Sequence, residues 1–150
     1  MVIISDASPI IALSNLNRLD ILRDLYESIT ITDLVAKEVK IDIPNWITIL
    51  DEYDANLFAQ YCVDLDQGEA SALALAKSQK KTLLIIDERR GRKLAKQTGI
   101  EVIGLLGVVV KASLTGKIDD GMGVLSLLRK NGFRISDKLM QQAQQKIKEL

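Results

Sequence analysis

A chain of 150 residues with 47% apolar residues, two prolines and no formal net charge is neither disordered nor fibrous, and it is long enough to bury a full core as one domain spanning 1–150. The absence of histidine removes imidazole bases, His-dependent triads and zinc sites with a His ligand, while the single cysteine, Cys62, excludes an internal disulfide and a thiolate metal cage. Polar chemistry is left to carboxylates, amines, guanidinium groups and hydroxyls, and carboxylate oxygens suit hard cations, Mg²⁺ or Mn²⁺ above all. The longest apolar stretch, 102–110 with its two glycines admitted, is far short of the roughly 20 residues of a spanning helix, and the N-terminal apolar run has neither a basic lead nor a small-residue cleavage site. The expectation is a cytoplasmic protein with no membrane partner.

Apolar periodicity gives the elements in chain order. Residues 3–5 read as a short buried strand that ends at Asp6, and Ser8-Pro9 opens a helix over 9–15, with Ser8 as cap and Pro9 in the first helical position. Residues 19–26 (LDILRDLY) form a second helix, 28–31 a strand, 33–40 (DLVAKEVK) a short helix, and 47–50 an edge strand. A helix over 51–61 follows, and Asp66 starts a long one through Lys77. Residues 82–86 (TLLII) are a buried strand, 88–97 a helix and 101–103 a last strand, with Gly104 as a tight strand-to-helix turn. Helices over 105–114, 120–130 and 136–149 complete the chain. Short strands rich in Ile, Leu and Val that alternate with helices predict a small parallel sheet covered on both faces, an α/β/α sandwich. Neither G-x-G-x-x-G nor G-x-x-x-x-G-K-[ST] occurs, so no dinucleotide or Walker-type nucleotide site is indicated.

In an open parallel sheet, ligand sites form just beyond the carboxyl ends of the strands. Asp6 and Asp87 both stand there. Glu38, in the helix after the second strand, and Glu69, in the first turn of the helix before the Asp87 strand, are placed to reach the same edge. Each acid also has an ordinary role open to it. Asp6 is equally a turn residue, Asp87 a cap for the helix after it, Glu38 an exposed helix residue, and Asp66 with Glu69 a capping box, the reading preferred for Asp66. Several carboxylates brought within a few ångströms repel, and such a cluster persists only if protons or a cation neutralise it.

Charge is segregated along the chain. Residues 1–69 carry 13 acids and four basic residues, net −9, and residues 70–150 carry seven acids and 16 basic residues, net +9. The block 77–96 holds eight basic residues against Asp87 and Glu88. It can meet phosphates, with Arg89, Arg90 and Arg92 directly after Asp87 as candidate contacts, or it can be a solvated surface facing the acidic half.

The order SDASPIIAL, VAKEV, LDQGEASALALA, LLIIDERRGRKLA and GIEVIGLLGVVVKA resembles the PIN-domain nucleases over roughly residues 2–135, closest to the compact prokaryotic branch associated with toxin–antitoxin pairs. The resemblance implies a PIN-like α/β/α fold in which Asp6, Glu38, Glu69 and Asp87 are the acidic quartet that binds Mg²⁺ or Mn²⁺ and supports hydrolysis of RNA phosphodiesters. Ser8 matches the small polar position two residues after the first aspartate. Two positions depart from the family pattern: Glu69 stands where aspartate is usual, and Ala7 where threonine is common. The expected function is a metal-dependent endoribonuclease, with RNA, an antitoxin protein and a second copy of the chain as expected partners. The alternatives are a catalytically inactive PIN-like protein that binds RNA or a partner, and a phospho-acceptor signalling domain. The latter needs paired acids after strand one, where only Asp6 stands.

Overall fold

In a computed structural model, residues 1–148 are described, and they form three layers around a parallel sheet. The strands are β1 (Val2–Ser5), β2 (Ile29–Thr32), β3 (Ile47–Leu50), β4 (Thr82–Ile85) and β5 (Glu101–Ile103), in the order β3-β2-β1-β4-β5 with every pair parallel. The helices are α1 (Ala7–Asn15), α2 (Asp20–Tyr26), α3 (Asp33–Val39), α4 (Ala55–Tyr61), α5 (Gln67–Ser78), α6 (Arg89–Gln97), α7 (Leu105–Leu114), α8 (Gly121–Lys130) and α9 (Asp137–Lys148). The expected end of the last helix at Glu149 lies outside the described residues.

Alternation along the strands builds two cores from one sheet. Ile4 and Leu84 are in register on β1 and β4 and face one layer, with Leu73, Leu75 and Ala95 of α5 and α6. Ile29, Ile31 and Ile85 face the other, with α1, α2, α7 and α8. All four β4 residues are buried, as a central strand covered on both faces requires. Each fully buried Ile or Leu contributes about 1.5–3 kcal/mol of transfer free energy.

Most element bounds fall within a residue or so of the sequence reading, and two helix starts and the role of one glycine differ for local reasons. Asp6, not Ser8, occupies the N-cap position of α1, because its N–H still donates to Ile85 O at 2.9 Å and the chain leaves the sheet only after it. Ser8 is the second helical residue and Pro9 the third, still in the turn whose N–H groups have no intrahelical partner. Residues 51–54 are not helical, since Asp54 caps α4 by accepting the Leu57 N–H at 2.9 Å. Gly104 does lie between β5 and α7, but its φ of −91° is open to any residue. What demands glycine there is space: a Cβ would come within 2.6 Å of Arg92 Nη1 and 2.8 Å of Asp87 Oδ1.

The topology also fixes where a ligand can sit. From β1 the chain moves outward through β2 to β3, then returns to the other side of β1 for β4 and β5. Strand order therefore reverses between β1 and β4, and the crevice of an open α/β sheet lies at such a point.

Candidate functional site

The register Ser5↔Ile85 sets the ends of β1 and β4 side by side at that switch point, so Asp6 and Asp87 emerge on adjacent strands. An open cleft of about 1500 Å³ lies over them, and its lining includes Asp6, Ser8, Glu38, Asp66, Glu69 and Asp87.

Asp6 is only 5% exposed, and its carboxylate makes no capping bond to α1. Burial pushes its pKa up to about 7; the adjacent Ala7 amide opposes this, and the charges of Asp66, Glu38 and Asp87 add to it. Asp87 is relieved of the capping role considered for it, because Glu88 takes the N-cap of α6 and accepts the Gly91 N–H at 2.9 Å. Asp87 Oδ1 instead accepts the Leu105 N–H at the start of α7, also at 2.9 Å, while Oδ2 is buried with no hydrogen-bond partner. Burial raises this carboxyl too, against the lowering effects of the Leu105 amide and the Arg92 guanidinium.

Glu69 is the third residue of α5 and 9% exposed. Its pKa is pushed up to about 8 by burial first, then by a hydrogen bond with the Asp66 side chain and the charges of Asp66, Asp6 and Glu88. Glu38, on the last turn of α3, is raised by burial and by Asp66. Asp66 does cap α5, accepting the Glu69 N–H at 2.9 Å, and it is also a fifth acid of the cleft whose charge acts on three of the others. The sequence holds the signal for this in LDQGE, where two acids three apart share one helical turn.

Among the described residues, no three Asp or Glu side chains are drawn together into a ready-made metal cage. The set still fits a hydrated hard cation. Mg²⁺ keeps several waters and is commonly held through one or two carboxylates, and the cleft offers the unpartnered Oδ2 of Asp87 beside the uncapped carboxylate of Asp6. Burial first, and neighbouring negative charge after it for Asp6, Glu38 and Glu69, disfavours the ionised carboxylates, and a bound cation would offset both.

A family model described as PIN domain matches residues 2–149. The chain belongs to the PIN-domain family. PIN domains are generally nucleases and typically use divalent metals. Comparison with curated proteins and with solved structures returns no match.

The lining of this PIN domain's cleft also carries a cationic group of residues. Arg89, Arg92, Lys93 and Lys96 line the cleft from α6, and Phe133 and Arg134 line it from the connection between α8 and α9. Arg92 is also a brace, since its Nη1 donates to Ile86 O at 3.1 Å. Arg90 is exposed but is not part of the lining, so of the three arginines that follow Asp87 only Arg89 and Arg92 meet the cleft. A helical turn separates these directions: 89, 92, 93 and 96 share one stripe of α6, and 90 leaves it. Sequence reasoning missed Phe133 and Arg134, which carry no local motif and lie far along the chain from every acid of the cleft they share. Among the described residues, no helix is long and apolar enough to cross a membrane.

Proposed function

We propose that this PIN domain is a metal-dependent endoribonuclease that hydrolyses RNA phosphodiester bonds and acts in the cytoplasm as the toxin of a toxin–antitoxin pair. The observation that carries the reading is the meeting of Asp6, Glu38, Glu69 and Asp87 around one cleft at the sheet's switch point, with Asp87 Oδ2 buried and unpartnered. Asp6 and Asp87 would be the principal ligands of Mg²⁺ or Mn²⁺, with Glu38 and Glu69 as direct or water-mediated ligands. When bound, the ion supplies a lowered water pKa and charge neutralisation at phosphorus.

The chain's own groups do the rest. Where Glu38 or Glu69 is not a ligand, its carboxylate orients the nucleophilic water. In this reading Arg89 and Arg92 hold a flanking phosphate, which guanidinium binds bidentately, and Ser8, which lines the cleft, hydrogen-bonds a phosphate oxygen. Partners in this reading are RNA, an antitoxin protein and a second copy of the chain.

Purified protein should cleave single-stranded RNA with Mg²⁺ or Mn²⁺ and stop with EDTA, and Asp87→Asn should abolish cleavage. Asn keeps an acceptor for the Leu105 N–H, so the variant should fold. A fully active Asp87→Asn protein would refute the assignment, and RNA binding without cleavage would point to an inactive PIN-like protein. A small neighbouring reading frame that encodes a DNA-binding segment and an extended tail would support the toxin role.

A further inference from the structure

Glu38 and Glu69 reach the cleft on different helices, and a buried chain of hydroxyls sets the spacing between those helices. Thr32 Oγ1 caps α3 by accepting the Val35 N–H at 3.1 Å, and the same oxygen lies 2.7 Å from Ser71 Oγ in α5. Ser71 Oγ donates its only proton to Gly68 O at 2.7 Å, so the proton between the two hydroxyls comes from Thr32. Thr32 and Ser71 are both fully buried. The start of α3 is thereby tied to the backbone of Gly68.

The far end of α3 returns to the same residue. A Cβ built on Gly68 would lie 2.9 Å from Glu38 Cδ and would overlap Oε1, so the Glu38 carboxylate fills the space that a side chain at position 68 would take. Gly68 is the second residue of α5, where ordinary helical backbone suits any L residue and glycine is a poor helix former. The room that glycine leaves is the room the Glu38 carboxylate occupies. We infer that Gly68 is a positioning residue: the missing side chain in the first turn of α5 forms a seat that holds the Glu38 carboxylate beside Asp66 and within reach of Asp6, at a spacing set by the Thr32–Ser71 bridge. The inference rests on the proposed membership of Glu38 in the metal site.

The test is a double-mutant cycle on Gly68 and Glu38, read by Mn²⁺ titration calorimetry and by thermal melts with and without Mn²⁺, alongside RNA cleavage. Gly68→Ala should keep or raise the metal-free melting temperature while weakening Mn²⁺ binding roughly 10–100-fold, the range for losing a group that orients a ligand. Glu38→Gln should weaken it to a similar degree. In the Gly68→Ala background, Glu38→Gln should cost nothing more, since the carboxylate is already displaced. If Gly68→Ala binds Mn²⁺ like the wild type while Glu38→Gln does not, the seat is refuted and the site reading stands. If Glu38→Gln itself binds and cleaves like the wild type, the role of Glu38 fails and the inference with it. Additive losses, or a loss that only follows a fall in melting temperature, would make Gly68 merely structural and overturn the proposal.

Discussion

Asp66 accepts the backbone N–H of Glu69 at 2.9 Å while its own negative charge helps push the Glu69 carboxyl up to about 8. The same residue stabilises the helix that carries Glu69 and destabilises the ionised form of Glu69. Two substitutions separate these effects. Asp66→Asn keeps a capping acceptor and removes the charge, so urea unfolding of the metal-free protein should show no loss of stability, and Glu69 should titrate lower by NMR. Asp66→Ala removes the cap as well and should cost about 1 kcal/mol. A Glu69 titration that stays unchanged in Asp66→Asn would mean that the charge of Asp66 has no effect at the cleft.

Stability should fall as pH rises across the neutral range. Burial holds Asp6 near 7 and Glu69 near 8 in the folded state, against ordinary values of 3.8 and 4.5, so the native protein binds more protons than the unfolded chain between roughly pH 4 and 8. More protons bound in the native state means that unfolding becomes easier with each step up in pH through that window. Thermal melts in EDTA should therefore give a higher midpoint at pH 5 than at pH 8, and Asp6→Asn should shrink the difference. A midpoint that climbs with pH would contradict the burial of these acids.

A cation that binds only the folded state should offset the repulsion. Mg²⁺ or Mn²⁺ at roughly ten to a hundred times its dissociation constant should stabilise the protein by about 1–3 kcal/mol. Because the raised carboxyls must lose protons to bind, affinity should be greater at pH 8 than at pH 6. Asp6→Asn should leave the metal-free protein at least as stable as the wild type and remove most of the metal-induced gain. A wild-type melt indifferent to both metals at fixed ionic strength would sink the metal site.

The cationic lining makes a prediction about direction as well as charge. In an Asp87→Asn background with EDTA, binding of a single-stranded oligonucleotide should weaken with salt, and each phosphate contact removed should flatten the slope of log K against log salt by about 0.7. Arg89→Gln and Arg134→Gln, which line the cleft, should each flatten it, whereas Arg90→Gln should leave it unchanged. Equal effects at all three positions would indicate a diffuse charge effect rather than a track along α6 and the α8–α9 connection.

Much of this architecture is written locally. The period of the apolar residues marks β1 and β4 and most of the helices, and an acid directly after each of those two strands is visible in VIISD and TLLIID, because strand ends and helix caps are decided by neighbours within a few positions. The expectation that Glu38 and Glu69 reach the same edge rests on which strands their helices follow and precede, an order that no single helix supplies. Other features needed the folded chain. Periodicity cannot say that β4 returns to the far side of β1, yet that return creates the switch point where Asp6 and Asp87 meet. It could not free Asp87 from a cap role, a choice settled when Glu88 took the cap and the Leu105 amide, 18 positions on, took Asp87 Oδ1. Nor could it give Asp66 its second role, keep Arg90 out of the cleft lining while Arg89 and Arg92 join it, or bring Phe133 and Arg134 into the cleft that the acids line. Local hydrogen bonding and side-chain period are short-range and legible in sequence; burial, repulsion between carboxylates and the room left by Gly68 arise only when distant segments share one volume.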